Sequence, residues 1–208
     1  MYVPQAFRIE ELDDTLDVLR QHPFATLVSV VEGEPVASHV PILFRRDGDE
    51  LTLLGHLAKA NPHWRALETV SSLAIFHGPH GYVSPTWYVS RPNVPTWNYV
   101  AVHAYGRARL IEDPARVIEG LQELTLAFDP ELPSREPSLV EPNLLRKMIP
   151  GIVMFELKVE RLEGKAKLNQ NKIAADFAAV RARYLESENT DERAMAQWMG
   201  RLQAASDL

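Results

Sequence analysis

Apolar positions fall at helical spacing near the start of the chain and at strand spacing after it. Leu12, Leu16 and Leu19 share one helical face and Pro23 stops the pattern, so residues 9–21 read as an amphipathic helix. Three runs rich in branched side chains follow, Phe24 to Val31, Val36 to Phe44 and Leu51 to Ala58, separated by the polar links EGEP and RRDGDE. Such links predict hairpins, with Asp47-Gly48 a good turn pair. A fourth run, Ser72 to Phe76, leads into HGPHGYVSPTWYVSRPNVPT. This aperiodic stretch of about 20 residues carries tryptophan and tyrosine rings, and ordered loops of that length tend to serve binding.

Regular pattern returns at WNYVAVHAYGRARLIE, a fifth strand that sends Tyr99, Ala101, His103 and Tyr105 to one face and Val100, Val102, Ala104 and Gly106 to the other. Asp113-Pro114 then supplies an N-cap and a proline at the first helical position, which predicts a helix to about Phe128. A short helical segment from Asn143 to Met148 precedes the sixth strand, GIVMFELKVERLEG. Ile173, Phe177, Val180 and Tyr184, then Met195, Trp198, Met199 and Leu202, outline two closing amphipathic helices. Six strands with turn-rich links and late helices predict a mainly β, α+β fold: a small antiparallel barrel with peripheral helices. Residues 1–171 are expected to form the barrel domain. Residues 172–208 are expected to be a helical extension packed on it or on a dimer partner.

Composition narrows the function classes. The 208 residues, 46% hydrophobic and 24% charged, are enough for one sizeable core. The chain has no cysteine, which excludes disulfides, thiolate metal sites and thiol catalysis and fits a cytoplasmic protein. Its longest apolar runs fall far short of the roughly 20 residues a membrane helix needs, and its first residues lack the basic start and apolar stretch of a secretory signal. A formal charge of -6 opposes whole-surface attraction to nucleic acid or anionic membranes. The seven histidines form no tight ligand pattern, so no protein-bound catalytic metal is expected. Nor is there a nucleophile elbow or a phosphate loop.

The candidate chemistry lies where the third run ends, in GHLAKANPHW. Asn61 is a good N-cap and Pro62 occupies the first turn, so a helix is expected from Pro62. Its free N–H groups, together with Lys59 arriving from the strand end, would seat a phosphate. Trp87, Trp97 and Tyr99 are suited to wall a flat ring system, and Asn98 and Gln170 to hydrogen-bond its polar edge. A ring site beside a phosphate seat suits flavin mononucleotide. The stretch GKAKLNQNK adds Lys165, Lys167 and Lys172, whose partners would be ligand phosphate, a neighbouring subunit or water.

These segments also carry a family resemblance. MYVPQAF, HLAKANPHW, GPHGYVSPTWY, VPTWNYVAVHAYG and KLNQNK, in that order, resemble the PaiB-type FMN-binding negative transcriptional regulators from Met1 to about Lys172. The resemblance implies the FMN-binding split barrel related to pyridoxamine-phosphate oxidase, here six-stranded, and a homodimer whose subunit boundary helps build the flavin sites. It implies His39, Val40, Pro41 and Ile42 along the flavin ring and His56 near the ribityl chain. Lys59, Ala60 and Asn61 would meet the phosphate, with Trp97 and Asn98 approaching from the long loop. The phosphate turn departs from the oxidase pattern by offering a single lysine, so backbone groups and Lys167 or Lys172 are expected to help. As a regulator the chain shows no helix-turn-helix, and Lys172, Arg181 and Arg183 are the only helical cations to nominate for DNA. The alternatives are a flavin-dependent oxidoreductase, in which His103, His56 or Tyr99 would assist proton transfer, and a haem-binding or haem-degrading split barrel.

Overall fold

A computed structural model describes residues 1–206, with side chains described as far as Arg201. The chain divides into two compact units. One comprises Met1–Val18, His77–Val102 and Glu163–Leu208; the other comprises Leu19–Phe76 and His103–Leu162. Strands β1 (Phe24–Val31), β2 (Glu34–Pro41), β3 (Leu43–Asp47), β4 (Glu50–Ala58), β5 (Ser72–Val83), β6 (Thr96–Ile111) and β7 (Ile152–Lys167) form one sheet in the order β2-β1-β5-β6-β7-β4-β3. The helices are α1 (Leu12–Gln21), α2 (Pro114–Phe128), α3 (Leu132–Arg135), α4 (Pro142–Met148), α5 (Ala174–Leu185) and α6 (Thr190–Ser206). None of the described helices is long and apolar enough to cross a membrane.

The sheet has seven strands rather than the six expected, and it is not closed. The difference lies in the run Val36 to Phe44, which serves two strands. The Ile42 N–H still bonds on the β1 side, donating to the Pro23 carbonyl at 2.8 Å, one step past the Phe24–Pro41 pair. Residues through Pro41 pair with β1, and residues from Leu43 pair with β4. The two edge strands are consecutive in the chain. A second correction concerns β5, which does not end at Phe76 but continues to Val83. Gly78 permits this, because a Cβ there would sit 3.0 Å from both the Val100 Cβ and the Val100 carbonyl oxygen. The aperiodic segment therefore shrinks to residues 84–95.

Within the second unit the core gathers Leu54, Ile111, Val117, Ile118, Leu121, Leu124, Leu145 and Met154. Helix α2 matches its sequence signal: Asp113 Oδ1 accepts the Ala115 N–H at 3.0 Å and Pro114 opens the helix. Gly106 on β6 has no alternative, since a Cβ there would lie 1.9 Å from the Lys158 carbonyl oxygen.

In the first unit, α5 and α6 bury Val180, Tyr184, Met195, Trp198 and Met199. The Tyr184 hydroxyl donates to the Gly81 carbonyl at 3.0 Å. Burial pushes the Tyr184 phenol well above its ordinary proton affinity. The stripe expected on α5 differs at its start: Ile173 is the exposed N-cap residue, and Asp176 is buried instead. The side chain of Leu202, the last of the stripe expected on α6, lies outside those described.

Candidate cofactor site

The turn after β4 is fixed by buried hydrogen bonds. Asn61 Oδ1 accepts the His63 N–H at 3.1 Å, the capping bond expected from the sequence. The capped element is a five-residue 3-10 turn, Pro62–Ala66, not the longer helix expected. One such turn is too short to build a macrodipole. The fixing is done by His63, which is 2% exposed. Its Nδ1 pairs with Ser38 Oγ at 2.9 Å and its Nε2 with Ser29 Oγ at 2.8 Å. The Asn61 amide donates to Ser38 Oγ at 2.9 Å, and Ser29 Oγ meets Ser72 Oγ at 2.7 Å. A continuous polar chain thus pins the turn to β1, β2 and β5. Burial holds the His63 imidazolium below the usual histidine range.

On the exposed side of this turn stand two cations. The Lys59 ammonium lies 4.1 Å from the centroid of the Trp64 ring, and the Arg65 guanidinium lies 5.4 Å from it. The Trp64 indole N–H donates to the Lys59 carbonyl at 3.0 Å, and the Lys59 N–H donates to the Gly151 carbonyl at 2.8 Å. Neither cation has a carboxylate partner among the described residues. The sequence reading missed Trp64 and Arg65, although both stand within two turns of the lysine in the chain. The pair corrects the expectation of a single lysine, because the turn offers two cations ordered by one ring. Ala60 is exposed between them and the cap.

Residues 39–42 take different roles on either side of β2. His39 is exposed, pairs through Nδ1 with Thr26 Oγ1 at 3.1 Å and stacks on Phe24 at 6.3 Å between centroids. Val40 and Ile42 point into the core, 6% and 1% exposed, and Pro41 is half-buried. Only the backbone of this edge strand, with His39, is available to a ring. His56 on β4 is half-buried, and its Nδ1 is buried without a hydrogen-bond partner. Burial lowers its proton affinity, so the neutral ring with an open nitrogen is favoured.

The first unit holds the other expected residues, and it does not bring them together. Trp97 is 54% exposed and packs against His80 and Tyr82 at 6.1 Å and 5.9 Å. Asn98 is fully buried, and both of its amide atoms lack hydrogen-bond partners. The Tyr184 hydroxyl stands close to this amide and donates its own proton to the carbonyls of Gly81 and Tyr82. Strand alternation sends Trp97 and Asn98 to opposite faces. Gln170 Oε1 accepts the Leu168 N–H at 2.7 Å and its amide donates to the Ala166 carbonyl, so it braces its own turn. Trp87 packs edge-on against Tyr184 at 5.8 Å.

Nor are the nominated lysines and arginines free. Lys165 donates to the Tyr2 carbonyl at 3.1 Å, Lys167 to the Trp97 carbonyl at 2.9 Å and to Thr96, and Lys172 to Asn93 Oδ1 at 2.6 Å. Arg181 donates to the Ala196 carbonyl at 3.1 Å, and Arg183 lies 3.6 Å from Glu186. Each of these cations is engaged within the first unit, where it secures the fold.

Comparison with known proteins identifies the family. A profile of the family described as "Putative FMN-binding domain" matches residues 1–161. The chain is 36% identical over 204 residues to the Bacillus subtilis "Protease synthase and sporulation protein PAI 2", covering 96% of each chain. Among solved structures, the Azotobacter vinelandii flavocytochrome Anf3 superposes with a TM-score of 0.62 at 21% identity, over 79% of this chain and 72% of that one. The FAD and heme binding protein of Mycobacterium smegmatis gives 0.61 at 22% identity, over 81% and 77%. The two structures share the fold of this chain. The chain belongs to the FMN-binding family with split-barrel architecture, and FMN is its cofactor.

The residues present fit that cofactor. Within the second unit, two ordered cations on an exposed turn suit a phosphate, the unpartnered His56 nitrogen suits a polar group, and His39 offers an exposed ring.

Proposed function

We propose that this chain acts as an FMN-dependent homodimeric regulator in the cytoplasm, and that the turn around Trp64 seats the flavin phosphate. The observation that carries the reading is the pair Lys59 and Arg65, both over the Trp64 ring and neither paired with a carboxylate among the described residues. Cations held over an aromatic ring are oriented in advance, which lowers the entropy lost when an anion arrives. Ala60 and Asn61 would face the same phosphate, His56 the ribityl chain, and the edge of β2 from His39 to Ile42 the ring. Trp97, Asn98 and Gln170 are further candidate contacts to the flavin. Bound FMN supplies reversible one- or two-electron redox chemistry. The chain's own residues orient it, and the neutral His56 is the group on this side able to hold or accept a proton.

The regulatory role is supported by the relative whose name joins protease synthesis with sporulation. Lys172 and Arg181 are engaged by partners within the chain and Arg183 sits in an exposed pair with Glu186, so contact with DNA, where it occurs, would be to phosphates and would depend on dimerisation and salt. The barrel of residues 1–171 would carry the flavin, and residues 172–208 the extension that steadies it.

Titration with FMN and riboflavin tests the seat. One charge-assisted contact contributes roughly 1.5 to 3 kcal/mol, so Lys59→Ala should weaken FMN about ten-fold to a hundred-fold and leave riboflavin, which has no phosphate, nearly unchanged. Equal loss for both flavins would defeat the assignment. Sedimentation of the same samples should show a dimer at micromolar concentration, and a monomer throughout would remove the shared site.

A further inference from the structure

Strands β5 and β6 are neighbours in the sheet, and neighbouring antiparallel strands are commonly joined by two to five residues. Here residues 84–95 intervene, with prolines at positions 85, 92 and 95 and no strand of their own. Connectivity alone does not require so long an excursion.

Its hold comes from residues some eighty positions later. The Asp176 carboxylate, 1% exposed, accepts the Val89 N–H at 2.7 Å and the Ser90 N–H at 2.9 Å through Oδ1, and the Ser90 hydroxyl through Oδ2. Lys172 donates to Asn93 Oδ1 at 2.6 Å and lies 4.8 Å from the Tyr88 ring centroid. Asn93 in turn donates to the Ser90 carbonyl at 2.9 Å, and Asn169 donates to the Tyr88 hydroxyl at 3.3 Å. Just beyond the loop, Lys167 grips Thr96 and the Trp97 carbonyl.

A buried carboxylate directed wholly at one loop is costly unless its bonds are kept. The loop so held presents Val89 and Val94 outward, 67% and 71% exposed, and Trp97, 54% exposed, follows at the start of β6. A buried carboxylate and a half-buried ammonium therefore fasten the inner side of a strap whose outer side is apolar.

We infer that Lys172 and Asp176 form a clasp that sets the position of residues 88–97, and that they are positioning residues for the flavin through Trp97. The inference rests on the proposed flavin reading for its second half only. The clasp acts on the loop whether or not a ligand is bound. Each fixes the loop that leads into β6, the strand from which Trp97 projects.

Two measurements on the full chain decide it. Cleavage by chymotrypsin after Tyr88 should be slow in the wild type, faster by about ten-fold or more in Asp176→Asn, and intermediate in Ser90→Ala, which keeps both backbone bonds. FMN affinity should fall about ten-fold in Asp176→Asn, yet change little when the same substitution is made in a Trp97→Phe background. Unchanged cleavage in Asp176→Asn and Lys172→Met would overturn the clasp. Equal loss of FMN in both backgrounds would overturn the route through Trp97 and mark a general loss of structure. Failure of the wild type itself to bind FMN would fall on the proposed function, with the cleavage series still deciding the clasp.

Discussion

His63 in the second unit and Asn98 in the first are buried to nearly the same degree, 2% and 0% exposed, yet they sit on opposite sides of one rule. Both ring nitrogens of His63 have hydroxyl partners, and those hydroxyls have partners of their own. Neither amide atom of Asn98 has a hydrogen-bond partner. A satisfied buried polar network fixes structure, whereas an unsatisfied buried amide costs stability and calls for another explanation. The difference assigns His63 to architecture. It leaves Asn98 as a group retained at a cost, which is what a ligand contact or an internal water requires.

The comparison breaks most readily at His63. His63→Leu would remove two hydrogen bonds and leave Ser29 and Ser38 with one partner each, Ser72 and Asn61, so a loss of about 2 kcal/mol is expected in urea unfolding. A loss below about 1 kcal/mol would mean that the serine chain contributes little. Asn98→Leu should act with the opposite sign. Replacing an unpartnered amide by an apolar group of similar size should raise stability by about 1 kcal/mol while weakening FMN. A stability loss there would show that the amide has a partner, and unchanged FMN affinity would remove Asn98 from the flavin site.

The same two regions show what was legible in the sequence. Elements specified by neighbours in the chain were readable: the capped helix after Asp113-Pro114, the alternation of β6 and the Asn61 cap all carry their signals within a few residues. The seventh strand was hidden because Val36 to Phe44 is one apolar run, and only the pairing of its halves with different partners reveals the break at Pro41. The extent of β5 was hidden because Gly78, Pro79 and Gly81 read as loop, whereas the close approach of Val100 makes Gly78 a strand residue. In the candidate site, Lys59 and Asn61 were readable from local chemistry. His63 looked like one of seven scattered histidines because Ser29, Ser38 and Ser72, its hydrogen-bonded chain, come from three different strands. Asp176 was concealed for the same reason, since the loop it holds lies more than eighty residues earlier.

The smallest expected effect sharpens the comparison through pH. Burial lowers the proton affinity of both His63 and His56 in the folded chain, while the unfolded chain protonates near the ordinary value of about 6.5. Below that pH the unfolded state therefore binds protons that the folded state has not yet taken up. Their contribution to stability is complete above about pH 6.5 and is lost as pH falls through the lower, folded-state values. The carboxylates held low, Asp176 by bonds from Ser90 and Glu156 by its arginine partners against the opposing effect of burial, enter only at more acid pH. The melting temperature should thus decline between pH 7 and pH 5, less steeply in His56→Gln and in His63→Asn than in the wild type. The two histidines differ in one respect that the same scan can read. His63 is closed off by its serines, whereas His56 keeps an open nitrogen, so FMN should alter the pH slope of the wild type but not that of His56→Gln. An identical response to FMN in both would remove His56 from the cofactor site and leave it, like His63, to the fold.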